Sequence, residues 1–332
     1  MNIIEQYTDF PQQIVNKINY ANVFFQKSVF DYYKSIVKNV IYFYDEERVL
    51  PLVISKKLKF TYGYFPTEPW IYSEKNTVRK EIDFLNEVVN ECKKILHLDW
   101  IGQTPPSALF SDAPSKSINI PFGSHIIDLT LSEEELWNKV HSKHRNVIRK
   151  AEKSDIKVTS GGIELLPEYL IAEKDTMERS NLTVGTESTY STCFKEFGNN
   201  VRIFLAKQAE NIQGGAIIVY NEAMAYYMHG ASINSPVTGA MNLVQWEIIK
   251  YLKCQNVKKY SFVGARINED ENSKYHGIQN FKKRFGGELF EGRMFKVIYS
   301  PFKFWLYKRL LWLKTKGIGS KDIIDQEIHK WK

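Results

Sequence analysis

The chain has little sulfur and no long apolar run. Its 332 residues include three cysteines, Cys92, Cys193 and Cys254. The odd number, the wide spacing and the lack of a CxxC pair argue against a disulfide framework or a thiolate zinc site, and fit a reducing cytoplasm. No stretch approaches the roughly 18 uninterrupted apolar residues of a membrane span. Residues Met1 to Phe10 offer no basic segment followed by an apolar core, so they do not read as a signal peptide. There is no internal repeat and no low-complexity tract. A P-loop, a Ser-His-Asp order and a metal-ligand cluster are equally absent, so no metal is expected.

What is there is apolar and basic. The chain is 43% hydrophobic and 14% aromatic, enough for one large or two medium globular cores. The formal net charge is +7, and from Lys258 to the end 13 Lys and 4 Arg face 5 Glu and 3 Asp. Such a surface suits a phosphate-bearing partner (RNA, a nucleotide-linked substrate or an anionic membrane) or serves solubility alone.

Periodicity outlines the elements. Residues 23–38 read as a helix with Val29, Tyr32, Tyr33 and Ile36 on one face and Lys34 on another. A hairpin follows at 39–44 and 48–54, turning at Asp45-Glu46-Glu47. Thr77–Leu96 is a second helix, and a strand lies around 118–129. Ser132-Glu133-Glu134-Glu135 has the form of a capping box. A basic helix carrying Arg145 and Arg149 runs into a strand at 156–159. Leu166–Leu182 is helical, with Glu173, Asp175, Glu178 and Arg179. Val201–Gln208, Gln213–Tyr220 and Ala223–Ser232 form a meander in which Tyr226 and Tyr227 face opposite sides. A helix spans Met241–Cys254, its start after Gly239 being a natural anion site. Phe262–Arg266 is a short strand running into a loop, and Met294–Tyr299 another strand. Pro301–Lys316 is a basic, aromatic helix that either caps a core, the favoured reading, or lies on an anionic membrane surface.

One stretch stands out: Gly277-Ile278-Gln279-Asn280-Phe281-Lys282-Lys283-Arg284-Phe285-Gly286-Gly287. Phe281 and Phe285 share a helix face and can anchor it. Lys282 points off that face, and the double Gly ends the helix. A cation is thus held beside the exit of a strand, unless the helix is simply a solvated basic one.

With Tyr226-Tyr227-Met228-His229-Gly230-Ala231-Ser232, Trp246-Glu247-Ile248-Ile249 and Gly264, this stretch resembles the FemA/FemB/FemX family of GNAT-fold acyltransferases, related to the BioF2-like acetyltransferases. The order and spacing of "YY..G.S", "W..I..A" and "FK..FGG" agree. Arg145, Asn146, Ile148, Arg149, Lys150 and Ala151 resemble a second family element, and Gln26–Lys34 a third. Two departures stand beside these: Tyr62–Pro69 lacks the Arg and Gly of the family's "RGP" loop, and Thr183–Tyr190 lacks a second family Arg.

The resemblance implies an α+β fold of two GNAT-like domains, each a mixed, mostly antiparallel sheet flanked by helices. The expected division is 1–140, with helices 301–332 packing back on it, and 141–300. It implies a cytoplasmic aminoacyltransferase, working at the inner face of the membrane in some cases, that moves an aminoacyl group from aminoacyl-tRNA to an amine of a nucleotide- or lipid-linked peptidoglycan precursor. The alternative is an acyl-CoA-dependent N-acyltransferase of surface-polysaccharide synthesis. No cofactor is implied beyond the donor. Lys282 and Tyr227 stand at catalytic positions. Phe281, Lys34, Arg179, Arg145 and Arg149 stand at substrate-binding ones. His229 is a weaker candidate base.

Overall fold

The computed structural model describes residues 1–18, 20–35, 39–72, 78–180, 187–267, 273–314 and 322–331. The chain forms two compact units: Met1–Gly123 with Glu291–Lys332, and Ser124–Phe290. It passes from one to the other inside strands Ile118–Asp128 and Glu288–Ile298. The sequence reading sets the divisions at 140/141 and 300/301, ahead of the basic helix and of Pro301; inside a continuous strand composition leaves no mark.

In the first unit the neighbouring strands are Asn2–Ile4, Asn39–Tyr44, Arg48–Lys57, Phe60–Tyr64 and Trp100–Ile101, followed by the second half of Glu288–Ile298. All pair antiparallel except Phe60–Tyr64 with Trp100–Ile101. The predicted hairpin is present, and Asp45 Oδ1 closes its turn by accepting from the amides of Glu47 and Arg48 at 2.8 and 2.7 Å. Helix Val78–Lys94 lays Phe84, Leu85, Val88 and Val89 over Phe43, Leu50 and Leu52.

Residues 23–35 divide into a 3₁₀ turn, Val23–Phe25, and a helix, Lys27–Ser35. Asn22 opens the turn by accepting from the Phe24 amide at 3.0 Å, and Gln26, extended at ψ 141°, separates it from the helix. Val29 and Tyr33 face inward and Lys34 outward. The predicted positions 36–38, Thr77, 181–186 and 315–316 lie outside the described residues.

Helix Pro301–Lys314 packs on this unit through Tyr307, whose ring lies 4.9 Å from Trp100 and 5.7 Å from both Phe60 and Tyr62. Buried Lys296 donates to Asp322 and Asp325 at 2.8 and 2.5 Å, tying down the last helix, Ile323–Glu327.

In the second unit the strand order is Ile118–Asp128 (from Ser124), Lys259–Ser261, Ala225–Ser232, Asn211–Tyr220, Val201–Gln208, Ile156–Gly161. The meander is antiparallel; Ala225–Ser232 pairs parallel with Lys259–Ser261. Phe204, Ala216 and Ile218 face helices Ser142–Lys153 and Ala240–Cys254. The alternate residue Gly215 faces Tyr169 of helix Leu166–Arg179. Ser132 and Glu135 form the predicted capping box, each side chain taking the other's amide at 3.2 and 2.8 Å. Helix Glu187–Phe197 has no counterpart in the sequence reading; its Ser- and Thr-rich turns give no apolar stripe. Among the described residues no helix is long and apolar enough to cross a membrane.

Candidate functional site

The site is built in the second unit, where two strands part. Ala225 pairs with Tyr260 and Tyr226 with Ser261, and the parallel ladder stops there. The predicted strand over Phe262–Arg266 is interrupted: only Ala265–Arg266 is extended, because Val263 and Gly264 take φ of 49° and 67°. A β-branched residue at positive φ is strained and needs outside support. Ser261 Oγ supplies part of it, accepting from the Val263 amide at 3.2 Å while sharing a 2.7 Å hydrogen bond with Ser124 Oγ.

Lys282 supplies the rest. Helix Lys274–Lys283 is capped by Ser273, which accepts from the His276 amide at 3.0 Å. Gly286, at φ 83°, makes the left-handed turn that follows. The Phe281 and Phe285 rings lie 5.2 Å apart, and Phe285 stacks on Phe262 at 5.5 Å. His144 closes the cluster, 5.4 Å from Phe281 and 4.7 Å from Phe285. These anchors turn Lys282 inward, leaving it 9% exposed. Its Nζ donates to the carbonyl of Gly264 at 2.7 Å and to that of Val263. Burial pulls its pKa down to about 8.

Tyr227 approaches the same segment from the neighbouring strand. Tyr226 is buried and Tyr227 half-buried, as strand alternation requires. A bulge follows: Ile218 faces Tyr227 but Ile217 faces His229, so Met228 is the extra residue. The bulge puts Gly230 under the Tyr227 ring, where a Cβ would lie 1.7 Å from Oη. The ring meets Phe262 edge-on at 6.1 Å. Burial pushes the Tyr227 hydroxyl up to about 12, the nearby Gln245 amide opposes this, and Glu173 adds to it. Gln245 is itself fixed, accepting from Tyr260 Oη at 2.8 Å.

Glu173 is the feature that sequence reasoning missed as a site residue. Its carboxylate is 1% exposed and accepts from Tyr169 Oη at 3.1 Å and from Tyr190 Oη. The Tyr190 ring stands edge-on to His229 at 5.2 Å. Burial lowers the His229 pKa by disfavouring its charged form. A signal did exist: Leu166, Tyr169 and Glu173 continue one helix stripe, and a carboxylate in an apolar stripe needs partners.

Residues 114–211 match the model of the FemAB family. A lipid II:glycine glycyltransferase of Staphylococcus haemolyticus (strain JCSC1435) is 33% identical over 128 residues, 37% of this chain and 30% of that one. One of Staphylococcus aureus (strain USA300) is 27% identical over 119 residues, 35% of this chain and 27% of that one. The matches thus span less than a third of these relatives' length. The crystal structure of FemX superposes with a TM-score of 0.67 at 17% identity, over 92% of this chain and 99% of that one. The structure of L-PGS from Bacillus licheniformis gives 0.52 at 12% identity, over 90% and 96%. The fold is the mixed, mostly antiparallel α+β one expected from the sequence, and the FemX structure shares it.

The chain does not gather all the candidate residues in one place. Lys282, Phe281 and Tyr227 converge on Phe262–Gly264. Arg179 lies at the end of the Tyr227 strand, donating to the Ser232 carbonyl at 3.0 Å and to Asn234 Oδ1 at 2.9 Å. Arg145 caps helix Glu133–Lys139, donating to the carbonyls of Trp137, Asn138 and Val140 at 3.3, 3.0 and 2.9 Å. Arg149 is exposed, its guanidinium 5.4 Å from the Trp137 ring centre. Lys34 belongs to the other unit. There it lines an open cleft of about 580 Å³ with Glu5, Gln6, Asn39 and Ile54.

Proposed function

We propose that the chain is a FemX-like acyltransferase that moves an aminoacyl group from aminoacyl-tRNA to an amine of a lipid-linked peptidoglycan precursor. The observation that carries this reading is the buried Lys282 ammonium, aimed at the strained Val263–Gly264 segment where two strands part, with Tyr227 against the adjoining Phe262. The relatives named lipid II:glycine glycyltransferase supply the acceptor class. The excess of Lys and Arg after Lys258 suits a polyanionic donor.

In this reading the acceptor amine attacks the ester carbonyl of the charged tRNA. Negative charge collects on the carbonyl oxygen, and Lys282, in a site largely cleared of water, stabilises it. The Tyr227 hydroxyl orients the reacting group. The ester bond then breaks, the terminal ribose hydroxyl leaves with a proton from the amine, and an amide remains.

The test uses tRNA charged with labelled glycine, lipid II and the purified chain. Label appears in lipid II, and Lys282→Met lowers the rate by about 10²–10³-fold. Acylation from coenzyme A thioesters in place of charged tRNA would sink the donor assignment. Full activity in Lys282→Met would sink the catalytic one.

A further inference from the structure

The first unit carries a surface that the transfer chemistry does not use. Helix Pro301–Lys314 is held inward by Phe304 against Trp100 at 5.5 Å, by Tyr307, and by Lys308 on Asp325 at 2.8 Å. Its opposite stripe is open. Phe302 is 72%, Trp305 53% and Leu313 64% exposed, with Leu310 and Trp312 beside them. Phe302 and Trp305 stack at 6.2 Å, and the Arg309 guanidinium lies 5.7 Å from the Trp305 ring centre. An isolated exposed apolar residue needs no explanation, but a contiguous row of this kind does.

A second element extends the row. The turn between strands Arg48–Lys57 and Phe60–Tyr64 holds Leu58 80% exposed, at φ 55°, between Lys57 and Lys59. Phe60, the next residue but one, packs on Tyr307 at 5.7 Å. The turn and the helix are therefore neighbours on one face of this unit.

Charge selects the occupant. Beyond Lys303 and Lys308, which pair with Asp99 and Asp325, helix Pro301–Lys314 carries Arg309 and Lys314 and no Asp or Glu, and the turn adds Lys56, Lys57 and Lys59. A second copy of the chain would bring like charge against like. A bilayer with anionic headgroups offers the complement: acyl chains for Leu58, Phe302 and Leu313, the headgroup boundary for the two Trp rings, and negative charge for the cations. At 14 residues the helix is about 21 Å long, suited to lying along an interface.

We infer that this face of the first unit, the Leu58 turn together with the Phe302–Trp305–Arg309–Trp312 stripe, docks the protein on an anionic lipid surface. The inference rests on the lipid-linked-acceptor reading for its purpose, though not for its geometry. It specifies how a protein would meet an acceptor that never leaves the bilayer.

The test is flotation of the full chain with vesicles of equal parts phosphatidylglycerol and phosphatidylcholine, and with vesicles of phosphatidylcholine alone. Binding to the anionic vesicles is stronger by about tenfold or more and weakens with salt. The triple variant Leu58→Ser, Trp305→Ala, Trp312→Ala loses about tenfold in binding while its melting temperature is unchanged, because all three side chains are exposed. Equal flotation of wild type and variant overturns the inference. So does a concentration-dependent dimer that the variant abolishes in the absence of lipid binding. Transfer from charged tRNA to lipid II held in neutral detergent micelles, which offers no bilayer, is measured in parallel. Transfer without flotation defeats the docking surface and leaves the enzyme standing; flotation without transfer does the reverse.

Discussion

The Lys282 ammonium lies 2.7 Å from the carbonyl oxygen of Gly264, and the helix that carries it is fixed by Phe281 and Phe285. One side chain thus supports a strained backbone turn and presents a desolvated cation beside it. The two roles have opposite pH dependences. Burial holds the Lys282 pKa at about 8, below its ordinary value of 10.5. Between these values the unfolded chain binds more protons than the folded one, so stability rises from pH 8 to pH 10.5. Activity that needs the cation falls over the same range. Urea melts and rate–pH profiles compared with Lys282→Met test this: the variant loses the rise in stability, and what activity it keeps shows no fall above pH 8.

Gly230 is held by the Tyr227 ring. A methyl group there meets Oη at 1.7 Å, so Gly230→Ala must push the ring off Phe262. The expected cost is about 1–3 kcal/mol in stability, with a fall in transfer rate. Tyr227→Phe removes only the hydroxyl and lowers the rate with a smaller change in stability. Melts and kcat/KM for the two variants separate ring position from hydroxyl chemistry, and equal kcat/KM for wild type and Tyr227→Phe would remove the hydroxyl from the mechanism.

Glu173 binds two phenols inside the core. Glu173→Leu strands the hydroxyls of Tyr169 and Tyr190 and costs about 2–4 kcal/mol. Tyr190→Phe alone costs about 1–3 kcal/mol, and the pair is strongly non-additive in a double-mutant cycle. Additive losses would show that the buried network is not a unit.

His144 makes the second unit sensitive to acid. Buried against Phe281 and Phe285 and near Arg284, its pKa drops to about 4 from 6.5. The unfolded chain binds the extra proton between those values, so stability is lost as pH falls from 6.5 toward 4. His144→Phe keeps a ring there and flattens that part of the stability curve. An unchanged slope in acid urea melts would place the titrating group elsewhere.

Sequence pattern alone located much of this. The hairpin at 39–44 and 48–54, the capping box at Ser132, the meander and the basic helix before Ile156 are local: each depends on a residue period or on side chains a few positions apart. The spacing of Phe281, Lys282, Phe285 and the double Gly likewise specified a braced cation at a helix end. What the period could not supply was depth and partnership. Arg145 and Arg179 stand at substrate-binding positions in the sequence; in the fold Arg145 caps a helix and Arg179 binds the end of a strand, because the carbonyls they meet arrive from other elements.

Tertiary structure alone decided the rest. The positive φ of Val263, the bulge at Met228 that sets Gly230 under Tyr227, and the burial of Glu173 between two tyrosines all arise from strands and helices distant in sequence. Sequence determines which side chains share a face, since that follows from 3.6- and 2-residue repeats. Which face meets which, and so which polar group is desolvated and must find a partner, is settled only when the elements pack.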